Sequence, residues 1–408
     1  MFRLVHYILW SHHFGMDHET RSERYAGEFP DAISTFQSLT DPRTGRHKRH
    51  YFGEVIFIAL AAIICKCEGF DDMERFAQGK KSWLEKFLKL PGGVPSNDTF
   101  RRIFSAIDPK AFNACFIRFV EGLSGQLSSQ LIAIDGKALR HSFDRASEQS
   151  HLHLLSAFAS EQGLCLTQLK VDTKSNEIAA VPELLDFLPL KGNTFSLDAM
   201  GCQKKNAHKI SLNGGHYLMA VKGNHPHLFA RLEQLFSSGS ALQYAQEQGS
   251  TFSSAVTENK GHGREEKRII LATDALGWVD KLERESWLNL GSFICVESHR
   301  KDLTTKKSSV EKRYYLSDHK PNADMLQKLI RQHWGIENSC HWVLDVVWDE
   351  DGSRIRKGHA AENVALLRKL ALNLLRVDKT VKDTIQGKRL RAAFDEKILE
   401  QLIGLKAS

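Results

Sequence analysis

Apolar and polar positions alternate with helical spacing through the first third of the chain. The run Val55–Ile64 is apolar throughout, well short of the roughly 20 residues that cross a bilayer, and predicts a buried core helix. Polar capping residues at Ser96-Asn97-Asp98 and the pair Asp108-Pro109 each open a further helix. We therefore expect an all-helical N-terminal domain over residues 31–125.

The spacing of apolar residues changes from a helical period to strand-like alternation after residues 122–130, a stretch of small and polar residues. Three strand-like runs are followed by alternating helices and strands, which is the element order of a ribonuclease-H-like domain. In that fold the first strand lies mid-sheet beside the fourth, so Asp135 and Asp198, at the ends of those two strands, would be neighbours. The predicted elements are a strand ending at Asp135, strands 151–160 and 164–172, helix 176–188, strand 195–198, helix 203–212 and strand 217–221.

A second group of strand-like segments interrupts this order at about residues 250–320 and predicts a β-rich insertion. The fold class is therefore α/β (α+β), with a ribonuclease-H-like catalytic domain over residues 130–380 preceded by the helical domain. Residues 1–30 are expected to form a loose extension, with Met1 and Met16 both open as the natural start, and 381–408 a C-terminal tail. The strand-like segments of the insertion are Thr251–Glu258, Lys267–Ala272, Ser292–Glu297 and Arg313–Ser317.

One amphipathic helix is predicted from a capping Asn322 to Trp348. Glu337 and His341 are four residues apart, so they share a face that also reaches His333 and Asp345. The apolar stripe of this helix consists of Leu329, Ile336, Cys340, Val343 and Val347.

Three carboxylates, Asp135, Asp198 and Glu337, form a candidate site for a pair of Mg²⁺ or Mn²⁺ ions. Hard oxygen ligands suit these ions, and two of them can stabilise both the attacking and the leaving oxygen of a phosphodiester displacement. Each residue also has a simpler interpretation, because an aspartate at a strand end is usually a turn residue. His333, Glu337 and His341 could instead bind zinc, although they lack the His-Glu-x-x-His spacing of metalloproteases.

The charge and the cysteine content indicate a kind of partner and a cellular compartment, but they do not identify the function. A net charge of +7 and a pI near 8.9 are compatible with a polyanionic partner, and basic residues cluster, for example at Arg354–Lys357. Such runs are also common on solvated faces. Seven cysteines without a Cys-x-x-Cys pair argue against a disulfide framework or zinc ribbon, and indicate a reducing, cytoplasmic setting.

Ordered motifs along most of the chain, from about Phe36 to Arg376, resemble the DDE-type transposases of bacterial insertion sequences, specifically the H-repeat-associated group. The motifs are Asp41-Pro42-Arg43, Pro95–Arg102, Ile134-Asp135-Gly136-Lys137, Lys174–Ile178, Leu197–Gln203, Lys222-Gly223-Asn224, His262-Gly263-Arg264, His333–Asn338, His341–Val346 and Glu350-Asp351.

The resemblance implies that Asp135, Asp198 and Glu337 hold two divalent ions. Related transposases carry a lysine seven residues beyond the catalytic glutamate, where this chain has Leu344. Phosphate contacts must then come from elsewhere. The candidates for contact with DNA are Arg101, Arg102, Lys137, Lys222, Arg264 and Arg331, the first two on a possible recognition helix of the N-terminal domain.

The implied reaction is excision and strand transfer of an insertion sequence. An activated water attacks the phosphodiester at the element's end, and the freed 3′-hydroxyl then attacks target DNA. The expected partners are the terminal inverted repeats and the target DNA, with a homodimer on DNA, a nucleoid-associated location and no membrane. Two alternatives stay open: a transposase-derived protein that only binds DNA, and a stand-alone metal-dependent nuclease.

Overall fold

The computed structural model describes residues 31–44, 48–125, 127–140, 151–171, 177–237, 240–261 and 263–405. The expected loose extension at 1–30, the choice of start between Met1 and Met16, and His262 of the motif at 262–264 all lie outside these residues.

Between residues 31 and 125 the regular elements of the described chain are helices. Every residue of the first α-helix is buried, as predicted for a core helix. The Ser96 hydroxyl caps a later helix by accepting from the Thr99 backbone N–H, and Asp108 caps the next. After a 3₁₀ helix at Asp31–Ser38 these helices are α1 Phe52–Ile64, α2 Phe70–Gly79, α3 Lys81–Leu84, α4 Asn97–Ala106 and α5 Pro109–Ser124.

Nine strands of the described chain form one mixed sheet in the order β3-β2-β1-β4-β5-β9-β8-β7-β6. β1 lies beside β4 in parallel and β4 lies beside β5 in parallel, while β2 and β3 are antiparallel to β1 and to each other. The strands are β1 Leu131–Leu139, β2 Leu152–Ala159, β3 Leu164–Val171, β4 Thr194–Leu197, β5 His216–Val221, β6 Phe252–Gly261, β7 Arg264–Thr273, β8 Ser292–Asp302 and β9 Ser308–Ser317.

The predicted order of strands and helices through residue 221 is present, with one difference. β1 does not end at Asp135 but continues to Leu139, because residues 136–139 still pair with β2. The helices that follow are α6 Glu177–Leu185, α7 Lys204–Leu212, α8 Pro226–Leu235, α9 Ser240–Gln248, α10 Lys281–Glu285, α11 Ala323–His333, α12 Trp342–Trp348, α13 Ala360–Val377, α14 Ile385–Phe394 and α15 Glu396–Ile403, with a 3₁₀ helix at Leu276–Trp278.

Strands β6 to β9 extend the central sheet rather than forming a second one. All four segments predicted as strand-like between 250 and 320 coincide with them, apart from Thr251, which precedes β6. β9 pairs antiparallel with β5, and the last pair at the carboxyl end of β5 is Val221 with Tyr314. Since β9 begins at Ser308, its first residues project past that end of β5, together with the hairpins that β9 forms with β8 and β7 with β6.

A single apolar cluster contains both the N-terminal helices and the sheet. It includes Ile56 and Phe104 from the helices and Ile132 and Phe158 from the strands. Asn113 of α5 also donates to the Thr167 hydroxyl of β3 at 2.9 Å. The change in secondary structure near residue 125 is therefore not accompanied by a break in the core, and the predicted division into two domains stays a prediction.

The region expected to be a C-terminal tail forms α14 and α15 within the described residues. Arg389 is fully buried and donates to the Ile63 carbonyl of α1 at 2.9 Å. Its guanidinium also lies 4.4 Å from the Trp348 ring centroid. This end of the chain is thus packed onto the core.

The prediction of one continuous helix from Asn322 to Trp348 is wrong. Asn322 does cap α11, by accepting from the Met325 backbone N–H. The segment then divides into α11, a π-helix at Ile336–His341, and α12. The wider π turn shifts the phase of the buried face, so Leu344 and Trp348 are buried where Val343 and Val347 had been expected.

No helix in the described parts of the chain has the length and apolar character needed to span a membrane.

Candidate active site

Asp135, Asp198 and Glu337 line one cavity of about 370 Å³. Asp135 lies on β1, Asp198 follows the last residue of β4, and Glu337 lies on the π-helix. Parallel strands present their carboxyl ends at the same edge of a sheet, which brings the first two together. The π-helix packs over that edge and supplies the third carboxylate.

The loop after β4 fixes the Asp198 carboxylate. Its Oδ1 atom accepts from the backbone N–H groups of Met200 and Gly201, each at 3.0 Å. A Cβ atom on residue 201 would lie 2.8 Å from the Leu197 side chain, so glycine is required for this tight turn. Among the described residues Oδ2 has no hydrogen bond and is available as a ligand atom.

Asp135 is largely buried, at 17% exposure of its side chain, and lies beside His341. The distance from His341 Nδ1 to Asp135 Oδ2 is 3.4 Å. Burial by itself raises the pKa of Asp135, but the hydrogen bond and charge of His341 outweigh it and lower the pKa. Burial likewise lowers the pKa of His341, and Asp135 overcomes this and raises it. The two groups therefore stabilise each other's charged forms.

Glu337 is the most exposed of the three carboxylates. Burial and then repulsion from the Asp135 carboxylate raise its pKa, and the more distant cations only partly oppose this. π turns are frequent at functional sites because the extra residue redirects side chains. The pocket is thus one in which negative charge is crowded, and a cation bound there would relieve the crowding.

The alternative zinc site at His333, Glu337 and His341 is not supported by the geometry. His333 Nδ1 is hydrogen-bonded to the Ser196 hydroxyl at 2.8 Å, and His341 Nδ1 faces Asp135. Among the described residues, the ligand atoms of all three side chains also do not lie within 4.8 Å of one another. Burial lowers the pKa of His333 and keeps its ring in a neutral, hydrogen-bonded role.

Three cationic side chains, Lys222, Lys312 and Arg313, line the same cavity. Lys312 is paired with Glu297 at 3.2 Å. Lys222 directly follows β5 and had been a candidate for contact with DNA. Arg313 was missed, because it becomes a neighbour of the site only through the pairing of β9 with β5. Its guanidinium lies 4.7 Å from the Trp334 ring centroid and bonds Glu311 at 2.8 Å.

Hydrogen bonds join the loop after β4 to the loop after β5. His225 is hydrogen-bonded to the Cys202 carbonyl at 2.7 Å, and Asn224 donates to the Ala199 carbonyl. Residues 224–226 do form a turn and helix start, as their sequence indicates, with Pro226 in the first turn of α8. In addition they tie the segment after Lys222 to the segment after Asp198.

Lys137 is not placed for contact with DNA. Its side chain is 11% exposed and its ammonium group pairs with Asp345 and, at 2.9 Å, with Glu350. Burial lowers the pKa of Lys137, but these carboxylates outweigh it and raise the pKa. We therefore replace the prediction of a phosphate contact with a structural role, in which Lys137 connects β1 to the chain beyond Glu337.

The structure explains why this chain has Leu344 where related transposases carry a lysine. Leu344 is fully buried on the core side of α12. The position seven residues beyond Glu337 therefore points into the protein, where a lysine would lose its hydration.

The remaining candidate cations lie outside this cavity. Arg264 begins β7 at a hairpin tip, and Arg331 is exposed on α11. Arg101 and Arg102 are on α4, where both bond to Asp98. A second cavity of about 490 Å³ is lined by Arg101 together with basic and acidic groups of distant segments, namely Glu68, Asp71, Asp349, Arg354, Arg356, Lys357 and Arg368.

The donor set of the first cavity fits divalent cations of the Mg²⁺ class. It consists of carboxylate oxygens, which such ions prefer. The three carboxylates do not lie within 4.8 Å of one another as a single close group.

The described chain has a mixed α/β fold, and its three candidate carboxylates line a cavity at the carboxyl ends of two parallel strands. The chain belongs to the DDE transposase family: the model "Transposase DDE domain" matches residues 126–374, and "DDE_Tnp_1-associated" matches residues 33–120. The resemblance expected from the motifs is confirmed.

Two relatives from Escherichia coli support the same assignment. The chain is 37% identical over 366 residues to "Putative transposase YncI" of Escherichia coli O157:H7, covering 90% of this chain and 92% of the relative. It is 36% identical over 367 residues to "H repeat-associated putative transposase YhhI" of Escherichia coli K12, covering 90% and 95%. A piggyBac transposase synaptic complex with hairpin DNA aligns at 11% identity and a TM-score of 0.43, covering 91% of this chain and 75% of that chain.

Proposed function

We propose that the protein is a DNA transposase that excises an insertion sequence and joins it to target DNA. The observation that carries the proposal is the cavity in which Asp135, Asp198 and Glu337 meet, since these are the three residues expected to act. Family membership makes a transposase the natural context for such a carboxylate set.

The catalytic domain that we propose is ribonuclease-H-like and spans residues 130–380. β1 is the middle strand of the part of the sheet ordered β3-β2-β1-β4-β5, with β4 beside it in parallel, which is the arrangement expected of that fold. On this assignment β6 to β9 are an insertion at about 250–320 that prolongs the sheet. The helices of residues 31–125 then form the preceding domain, which we propose contributes to the recognition of DNA ends.

Asp135, Asp198 and Glu337 would hold two Mg²⁺ or Mn²⁺ ions. When bound, the ions would supply a lowered pKa for a ligated water and neutralisation of the leaving 3′ oxygen. The residues of the chain then have separate tasks. His341 orients Asp135, the turn at Met200 and Gly201 orients Asp198, and the π-helix directs Glu337 toward both.

Lys222 and Arg313 are proposed as the groups that meet the phosphates of DNA at the active site. Both line the cavity, and both lie where a phosphate approaching the carboxylates would need its charge balanced. They take the place of the lysine that related transposases carry at the position of Leu344.

A second contact with DNA is proposed at the cavity that Arg101 shares with residues 354–357. Arg354, Arg356 and Lys357 supply three positive charges from one loop, opposite the helix that was expected to read DNA ends. Phosphate contacts of this kind release counterions, so binding should weaken steeply with salt. Because two ends must be brought together, we propose at least a dimer on DNA.

The experiment that tests the function uses purified full-length protein, labelled DNA carrying the element's ends, and a target plasmid, with Mg²⁺ or with EDTA. Joined products that require the metal are expected from the wild type. Asp198→Ala should lower cleavage and joining by at least about 100-fold. Asp280→Ala, an exposed carboxylate outside the cavity, is the matched control and should retain activity.

Other outcomes would select an alternative function. Cutting without joining would favour a metal-dependent nuclease, and binding without either reaction would favour a transposase-derived DNA-binding protein. Full activity of Asp198→Ala, with the protein folded, would remove Asp198 from the proposed site.

A further inference from the structure

Two histidines and an aspartate form a compact group away from the cavity. One ligand atom from each of His216, Asp318 and His319 lies within 4.8 Å of the others. His216 Nδ1 is 2.9 Å from Asp318 Oδ2, and the two imidazole rings are stacked with centroids 4.6 Å apart. Among the described residues this is the one group of three or more such side chains with that closeness.

The group lies at the opposite end of the sheet from the three carboxylates. His216 is the first residue of β5, whereas Lys222 follows its last residue at the cavity. A strand advances about 3.3 Å per residue, so the length of β5 separates the two places by roughly 20 Å. One cation therefore could not be shared between the group at His216 and the three carboxylates.

The three side chains are held in position by contacts outside the group. Asp318 is 5% exposed, and its Oδ1 accepts from the Tyr217 backbone N–H at 2.8 Å. His319 Nε2 is hydrogen-bonded to the Thr194 hydroxyl at 2.9 Å. Histidines that bind metals usually bond a partner through the other ring nitrogen, which fixes the ring and leaves the first nitrogen for the metal.

We propose that His216, Asp318 and His319 form a binding site for a transition-metal ion of the Zn²⁺ class. Two imidazole nitrogens and one carboxylate oxygen are a ligand set typical of Zn²⁺, Co²⁺ or Ni²⁺, whereas Mg²⁺ prefers oxygen alone. The ion would replace the proton shared by His216 Nδ1 and Asp318 Oδ2. The side chain of His216 is 46% exposed, which leaves a path from solvent and room for water as a further ligand.

The proposed ion has a structural consequence. His216 opens β5 and Asp318 and His319 directly follow β9, so the ion would join the two strands where the central sheet meets β6 to β9. Thr194, which bonds His319, adds the start of β4 to the same unit. Binding to the folded state alone stabilises it by mass action.

The test uses untagged full-length protein freed of metal by chelation. Titration with Co²⁺ should give a visible d–d absorption band at one equivalent, and Zn²⁺ should displace it and raise the thermal unfolding temperature. His216→Ala and His319→Gln should each weaken binding by more than about 100-fold, since even partners outside the ligand set change affinity by about 10–100-fold. His227→Ala, an exposed histidine outside the group, is the control and should bind as the wild type.

Asp198→Ala separates this site from the proposed catalytic one, because it should leave the Co²⁺ band and the Zn²⁺ stabilisation unchanged. A band that survives both histidine substitutions, or that disappears only with Asp198→Ala, would overturn the proposal. If His319→Gln fails to fold, His216→Gln decides, since the partly exposed His216 can be replaced without opening the core.

Discussion

The ammonium group of Lys137 lies 2.9 Å from Oε2 of Glu350, a carboxylate that is 1% exposed. Lys137 is two positions beyond Asp135 on β1, and Glu350 follows the helix that comes after Glu337. The pair therefore connects the strand that carries one candidate carboxylate to the segment that carries another. Asp345 completes the contact from α12.

Removing this lysine should destabilise the fold. In Lys137→Met the buried Glu350 carboxylate loses its ion-pair partner and keeps only the more distant charges of Lys369 and Arg368, which should cost about 3 kcal/mol. The unfolding midpoint in urea should fall accordingly. The triple variant with Asp345→Asn and Glu350→Gln should recover much of the loss, because it removes the unpaired charges as well. An unchanged midpoint in Lys137→Met would show that the pair does not hold these segments together.

A lysine introduced at position 344 should not restore a missing phosphate contact. Leu344 is fully buried, so Leu344→Lys buries an unpaired ammonium group and should lower the free energy of unfolding by about 4 kcal/mol. Val346→Lys is the matched control, since Val346 is 55% exposed on the same helix and should tolerate the change. A stable Leu344→Lys protein with faster DNA cleavage would contradict the orientation of α12.

The cations at the cavity should matter more for cleavage than for binding. Lys222→Ala and Arg313→Ala should each reduce single-turnover cleavage by on the order of 100-fold, because each removes a charge that faces the reacting phosphate in the proposed function. Arg331→Ala removes an exposed arginine of α11 that does not line the cavity and should cleave as the wild type. Equal losses of cleavage rate in all three variants would show that the overall positive charge matters and that the position of each cation at the cavity does not.

Glu266 should make β6 to β9 sensitive to acid. It lies 2.6 Å from Arg268 and 2.9 Å from Arg300, with 6% of its side chain exposed. Burial raises its pKa, but the two arginines outweigh burial and lower the pKa below its ordinary value of 4.5. Its contribution to stability is therefore present above pH 4.5 and lost as pH falls through the lowered value.

Glu266→Gln should consequently be less stable at neutral pH, by about 2 kcal/mol, and its stability should change less between pH 4.5 and lower pH. Urea unfolding at a series of pH values in the absence of divalent metal provides the measurement. Glu285→Gln, at a carboxylate that is 56% exposed, should follow the wild-type curve. A wild-type pH profile in Glu266→Gln would assign the acid sensitivity to other carboxylates.

The neighbourhood of Asp135 and Asp198 could be predicted from sequence because it depends on local signals. Short apolar runs, the turns between them and the order of helices and strands suffice to place β1 beside β4. Glu337 was predicted to join them from its place on the amphipathic helix, and the family motifs implied the same three residues. None of these inferences needed the position of a side chain.

The surroundings of the site could not be predicted in this way. Arg313 reaches the cavity because β9 pairs with β5 across a separation of nearly a hundred residues in the chain. The ion pairs of Lys137, a candidate for contact with DNA, could not be predicted because its partners, Asp345 and Glu350, come from a distant segment. The π-helix has no signature in hydrophobic spacing, so a continuous α-helix was predicted and the buried face was misplaced.

That π-helix also limits how the chain can vary in length. Each α-helical residue turns the helix by about 100°, so losing one residue between Ile336 and His341 would convert the wide turn to an ordinary one and rotate all that follows. Either Glu337 would leave the cavity or Trp348 would leave the core. Codon deletions that a surface loop tolerates should therefore be eliminated here by natural selection, whichever of the six residues is lost.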